Sequence, residues 1–245
     1  MSEQYFTNRQ NNLRTLFSKE GLDGMLVTNL THIRYLCGFT GSAGSLIITQ
    51  DKCEFITDGR YTVQSKNEVK GAKTTISSDP HFHVIKKENL LESDLKIGFD
   101  SNNVSHQIYT QLTNILPNLS WCGVSGYIES LSMIKDQKEI EAIKTAVEIT
   151  DEAFSEVFPM IQIGVEEKEI ANQLSFLYRK YGDADADAFS PIVGSGIHSA
   201  MPHQRPTDKK ISPGELVVID SGAKYAGYHA DMTRTVATKG YSEKQ

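Results

Sequence analysis

Apolar residues at Leu13, Leu16 and Phe17 fall at helical spacing between Asn8 and Lys19, and the short apolar run from Gly24 to Thr28 reads as a strand. Ser45 to Thr49 and Cys53 to Thr57 flank the polar Gln50-Asp51-Lys52 and predict a hairpin. A further strand is expected over Lys96 to Phe99 and a helix over Ser105 to Leu116. This alternation argues for an α/β layer built on one mixed sheet, with Tyr35 and Phe39 in its core.

The pattern breaks between Trp121 and Lys135, where Gly123, Ser125 and Gly126 interrupt it, and a two-domain division into 1–125 and 135–245 follows. Asp136 with Glu139 three residues on is a capping-box signature. Ile140, Ile143, Val147, Thr150, Phe154 and Val157 then mark one face of a long helix that Pro159 ends. A second helix is expected after Gly164, with Ile170, Leu174, Leu177 and Tyr181 on one side and Gly182 at its end. Leu216 to Ile219 is a continuous apolar run, as in a strand covered on both faces.

Composition narrows the function classes. The 245 residues are 39% apolar, as suits a globular protein of one large or two ordinary domains. Lys plus Arg is 25 against 31 acidic residues, and a net charge of −6 argues against a nucleic-acid surface. There is no run of 18 apolar residues, and the start MSEQYFTNRQNN has neither a basic head nor an apolar core, so neither a membrane span nor a secretion signal is expected. Cys37, Cys53 and Cys122 are odd in number and lack ligand spacing, which reads as reduced thiols in a cytoplasmic protein.

The stretch Val217 to Thr235 holds the most specific chemistry. Asp220 and Asp231 lie eleven residues apart across an expected hairpin, and a turn centred between Tyr225 and Ala226 would set them directly opposite each other. Facing carboxylates repel unless a cation lies between them, and hard divalent metals take carboxylate oxygens. An isolated Asp pair is more often a strand end and a solvated residue. Here the apolar strand leading into Asp220 favours a metal site.

Four segments extend that reading. Phe189 to Gly196 (FSPIVGSG), Met201-Pro202-His203, Pro213-Gly214-Glu215 leading into Val218 to Ala223 (VIDSGA), and Ala230 to Thr235 (ADMTRT) resemble, in order, the pita-bread metallopeptidases, closest to Xaa-Pro aminopeptidases and proline dipeptidases. Arg34 to Ser42 (RYLCGFTGS) and Thr57 to Tyr61 (TDGRY) resemble the creatinase-type domain that precedes the catalytic domain in that family. The resemblance implies an α/β (α+β) protein, a creatinase-like mixed-sheet domain followed by the incomplete front part of a pita-bread domain. It implies two divalent metal ions, manganese first, with cobalt or zinc as alternatives. Asp220 would hold one ion and Asp231 would bridge both, while a His and two Glu of the family's five ligands have no counterpart, so the chain is expected to be the front portion of an enzyme. His203 matches the histidine beside the reacting carbonyl and is the expected catalytic residue, with His198 and His229 as substrate-side residues. The implied substrates are peptides with proline in second position, and a homodimer is expected. A metal-free peptide-binding module and a creatinase-like amidinohydrolase are the competing readings, and retention of both Asp residues disfavours each.

Three other motifs are weaker. Asp183, Asp185 and Asp187 alternate, but after Gly182 an acidic turn is the ordinary reading. Gly38, Gly41 and Gly44 lack the order of a phosphate-binding loop. Arg60 suits a carboxylate clamp, and equally an internal pair with Asp58.

Overall fold

The computed structural model describes residues 3–181 and 184–242, and of 184–186 the backbone alone. It divides into two compact units, Met1–Ile134 and Lys135–Gln245.

In the first unit the elements are α1 (Glu3–Lys19), β1 (Gly24–Val27), α2 (Leu30–Cys37), β2 (Ser45–Thr49), β3 (Cys53–Thr57), α3 (Thr62–Glu68), β4 (Lys73–Ile76), α4 (His81–Lys87), β5 (Lys96–Asp100), α5 (His106–Ile115), β6 (Ser120–Val124) and α6 (Tyr127–Met133). α1 starts five residues before the expected position, because Phe6 adds one more residue to the buried stripe of Leu13 and Phe17. Asn29 caps α2 by accepting from the His32 N–H, and Gly38 ends that helix at φ 87°, a left-handed turn that glycine takes without strain. Ser105 caps α5 by accepting from the Ile108 N–H.

The strands form one sheet in the order β4-β3-β2-β1-β5-β6. β1 runs antiparallel to β2 and parallel to β5, and β6 runs parallel to β5, so the sheet is mixed. Period-two alternation sends Met25, Val27, Leu46, Ile48 and Phe55 to a core with α1, α2 and α6. Leu26, Ile47, Ile56, Ile97 and Phe99 go to the other face, against α4 and α5. Phe39 belongs to the first core, with Tyr35 packed beside it. Gly41 and Gly44 serve packing, since a Cβ there would meet the Phe39 and Phe55 rings at 2.3 and 2.7 Å. Arg60 is held by Asp58, its Nε and Nη2 donating to the two carboxylate oxygens at 2.9 Å each. Cys37, Cys53 and Cys122 are free, and burial pushes the first two thiols up to about 12, well out of the reactive range.

In the second unit α7 (Gln137–Val157) and α8 (Glu167–Lys180) are followed by β7 (Ala184–Asp187), β8 (Ile192–Ser195), β9 (Leu216–Ser221), β10 (Ala223–Tyr225), β11 (Tyr228–His229) and β12 (Met232–Ala237). The capping box of Asp136 and Glu139 is formed in full. The buried face of α7 differs from the expected one: Ala142, Ala146, Ile149, Thr150, Ala153, Phe154 and Val157 are covered, while Ile140 and Val147 are 38% exposed. The small alanines let the helix lie close to β10, where the Thr150 hydroxyl accepts from the Ala223 N–H at 3.0 Å. α7 and α8 pack through Phe154, Ile170, Leu174, Leu177 and Tyr178 on Val193, Val217, Ile219 and Ala223. The strands form two three-stranded sheets, β11-β10-β7 and β12-β9-β8.

Candidate metal centre

The segment from Leu216 to Ala237 is a single long hairpin bent in its middle. Its tip is a two-residue turn at Ala226 and Gly227, with φ 49° and 84°, the backbone that matches the twist of paired strands. This turn lies one residue later than expected. Tyr225 therefore pairs with Tyr228, and Asp220 with Thr233. Asp220 and Asp231 do not face each other directly, which corrects the expectation from the sequence. Carried through the bend, the register sets Asp231 beside Gly222, on the diagonal from Asp220 and on the same face.

That face is the one turned away from the helices. Val217, Ile219 and Ala223 point into the core, so Asp220, Gly222 and Lys224 point the other way, as do their neighbours Thr233, Asp231 and His229. Ile192 of β8 flanks Asp220 on its other side. Gly222 makes the bend possible: a Cβ there would lie 1.9 Å from the Ala230 carbonyl oxygen. The backbone of Ala230 and Asp231 fills the place a side chain would take there.

The donor set suits a hard cation. Asp220 Oδ1 accepts from the Thr233 hydroxyl at 2.9 Å, which orients the carboxylate while leaving its second oxygen for a metal. Asp231 is exposed and makes no hydrogen bond or ion pair among the described residues. Two carboxylates on one open face, one steadied and one unspent, fit part of a divalent oxygen-ligand shell. Tyr178 holds the base of the site, its hydroxyl donating to Ser221 Oγ at 2.8 Å in the buried layer beneath Asp220. Burial raises the Tyr178 hydroxyl far above the usual phenol range, against the lowering effect of that bond.

His203 lies exposed in the loop that follows the short 3-10 turn Gly196–Ala200. A buried carboxylate that the sequence did not announce anchors this loop. Glu167, with no exposed surface, accepts from the N–H and hydroxyl of Ser195 at 2.8 and 2.9 Å, from the N–H and hydroxyl of Thr207 at 3.1 and 2.7 Å, and from His198 Nδ1 at 3.0 Å. Burial alone would raise its pKa, but these donors outweigh it and hold the group below the ordinary carboxylate range. Ser195 and Thr207 bracket the whole loop. His198, an expected substrate-side residue, thus spends Nδ1 on Glu167 and keeps Nε2. His229 is exposed on β11 opposite Lys224, and its pKa is lowered, by burial first and then by that lysine. Of the acidic alternation, Asp187 accepts from the Ser175 hydroxyl at 2.9 Å and lies 3.5 Å from Arg179, a structural tie to α8. Asp183 and the side chain of Asp185 lie outside the described residues. Among the described residues no helix is long and apolar enough to cross a membrane.

Residues 141–245 match metallopeptidase family M24, and residues 9–134 match the creatinase/prolidase N-terminal domain. An Xaa-Pro dipeptidase structure from Bacillus anthracis superposes with a TM-score of 0.91 at 35% identity, over 98% of this chain and 67% of that one. An X-Pro aminopeptidase structure from Thermotoga maritima gives 0.85 at 35% identity, over 91% and 65%. An uncharacterized peptidase of Bacillus subtilis is 38% identical over 92% of this chain and 64% of its own length. The chain spans just under two thirds of the length of the curated relatives it matches first.

Proposed function

The chain belongs to metallopeptidase family M24, with a creatinase/prolidase-type N-terminal domain ahead of pita-bread elements, and on that premise we propose that it serves the metal-dependent hydrolysis of the bond between an amino-terminal residue and proline. The observation that carries this reading is the hairpin face, where Asp220 and Asp231 lie diagonally, with Gly222 allowing the two strands to close up at the bend between them. Relatives named as Xaa-Pro dipeptidases and aminopeptidases supply the substrate class.

When bound, divalent ions, manganese in the first instance, supply the Lewis acidity that makes water a nucleophile at neutral pH and polarises a carbonyl. Asp220 and Asp231 would hold them. Asp220 is pre-set by Thr233, so its carboxylate need not reorganise on binding. His203 would donate to the reacting carbonyl oxygen or move a proton there, from a loop whose two ends Glu167 fixes. His198 and His229 would form walls on the substrate side. Proline suits such a site because its tertiary amide has no N–H for the pocket to satisfy.

Two carboxylates are too few for a dinuclear centre and leave no general base, so the 245-residue chain by itself is expected to be inactive on Ala-Pro and Gly-Pro. With the full set of ligands present, manganese-dependent release of proline from these dipeptides is expected, and Ala-Ala should be turned over far more slowly. Turnover that a chelator leaves untouched would overturn the metal reading and favour the amidinohydrolase alternative. Peptide binding without turnover in any metal would favour the binding module.

A further inference from the structure

The first unit holds a second group of metal-ligating side chains that the peptidase reading does not use. His32 in the first turn of α2, Asp100 at the end of β5 and Glu129 in the first turn of α6 each offer one ligand atom, and the three atoms lie within 4.8 Å of one another. We propose that these three residues form a zinc-type divalent cation site of one imidazole and two carboxylates.

The topology explains why the three meet. β1, β5 and β6 are parallel neighbours, and α2, α5 and α6 follow directly from their carboxyl ends. The chain leaves β1 toward the face covered by α1, α2 and α6, but leaves β5 toward the face covered by α4 and α5. Connections that diverge from adjacent parallel strands open a crevice at the strand ends, the usual ligand position in such sheets. Asp100 lies at that point.

Protein contacts leave His32 unsatisfied. His32 Nδ1 is 3.6 Å from Asp100 Oδ2 and His32 Nε2 is 3.8 Å from Glu129 Oε1, both beyond hydrogen-bond reach. The His32 side chain is only 12% exposed, and its Nδ1 is buried with no hydrogen-bond partner. An orphaned buried polar atom is costly and uncommon. One ion takes a single nitrogen of the His32 ring, so only one of these two separations can be a ligand–ligand distance on it. Ligand atoms on a tetrahedral zinc with bonds of about 2.1 Å stand roughly 3.4 Å apart, and the three side chains, whose ligand atoms lie within 4.8 Å of one another, would draw in on the ion. A nitrogen donor favours zinc and its neighbours over calcium or magnesium.

The surroundings supply what such a site needs. Asp100 Oδ1 accepts from the Asn102 N–H at 3.0 Å, Oδ2 accepts from Asn103 Nδ2, and Asn103 Oδ1 accepts in turn from Asn29 Nδ2 at 2.7 Å. A carboxylate braced by outer hydrogen bonds is typical of a ligand, and each oxygen keeps a lone pair. Glu129, with a side chain 46% exposed, gives solvent a route in and can swing to close on the ion. Bound metal would tie α2, β5 and α6 together.

The test uses the 245-residue chain carrying Asp220→Asn and Asp231→Asn, so that the hairpin carboxylates contribute nothing. Zinc titrated against a chromophoric chelator should show one equivalent bound, and zinc should raise the Tm of the chain. Glu129→Gln, a change at a half-exposed position, should keep the fold by circular dichroism, weaken zinc by about tenfold or more and remove the Tm shift. His32→Gln should do the same. Cobalt in place of zinc should give the intense visible absorption of a low-symmetry, nitrogen-containing site. No zinc bound in the Asp220/Asp231 background, or zinc bound equally well with Glu129→Gln and His32→Gln, would overturn the proposal.

Discussion

The Tyr178 hydroxyl donates to Ser221 Oγ at 2.8 Å, and neither side chain has any exposed surface. The bond fixes α8 to the last residue of β9, next in sequence to Asp220. Tyr178→Phe removes the donor while keeping the ring, so the loss is one buried hydrogen bond and an orphaned serine hydroxyl. We expect about 1–2 kcal/mol of destabilisation, read as a lower urea midpoint with unchanged slope. An unaltered midpoint would mean that the serine finds another partner.

Glu167 ties three segments through one carboxylate, and its charge is what the donors require. Glu167→Gln should cost about 2–3 kcal/mol near neutral pH. The pH dependence has a definite sign. The folded-state pKa is depressed, so the stabilisation is present above the unfolded-state value of about 4.3 and is lost as pH falls through the folded value. Urea melts of the wild type and the variant should therefore converge toward acid pH. A gap that widens on acidification would contradict the assignment.

Gly222 and Gly59 make a matched pair of tests. An added Cβ at Gly222 meets the Ala230 carbonyl oxygen at 1.9 Å, whereas at Gly59 nothing lies within 4 Å and φ is not positive. Gly222→Ala has to push the two strands apart at the bend, with a cost of about 1–3 kcal/mol or more and a displaced Asp231. Gly59→Ala should stay within about 0.5 kcal/mol. Equal melting temperatures for the two variants would show that the bend is not tightly packed.

What the chain reveals before folding differs from one element to the next. The hairpin of β2 and β3 follows directly from two apolar runs around a polar turn, and the capping box at Asp136 is a local signal that the structure honours. The face of α7 is less legible because alanine is small: Ala142, Ala146 and Ala153 mark the close contact, while the bulky Ile140 and Val147 drew the expected stripe to the flank. The hairpin register failed by one residue at the turn, since Lys224-Tyr225-Ala226-Gly227 allows two centrings and only the backbone at Ala226 decides between them. Glu167 could not be read at all. It looks like an ordinary acidic residue in a first helical turn, and its partners Ser195 and Thr207 are 28 and 40 residues away. The His32, Asp100 and Glu129 group was hidden for the same reason, because strand order alone brings it together.

The diagonal arrangement of the hairpin sharpens what each residue of the proposed metal site should do. Asp220 has one oxygen engaged by Thr233 and Ile192 on its other flank, which suits a ligand to one ion. Asp231 is exposed, with both oxygens uncommitted to other described residues, which suits the proposed bridge between two. In the protein with its full set of ligands, Asp231→Asn should therefore lose more bound manganese than Asp220→Asn, and both should lose activity. Thr233→Val, which frees Asp220 Oδ1, should weaken manganese by about tenfold while leaving the fold intact. His203→Ala should keep its metal and lose chiefly kcat, because its exposed loop position lies outside the carboxylate pair. Elemental analysis beside steady-state kinetics separates these outcomes. An empty site in His203→Ala would make that histidine a ligand, and equal metal loss in the two Asp variants would remove the bridging role from Asp231.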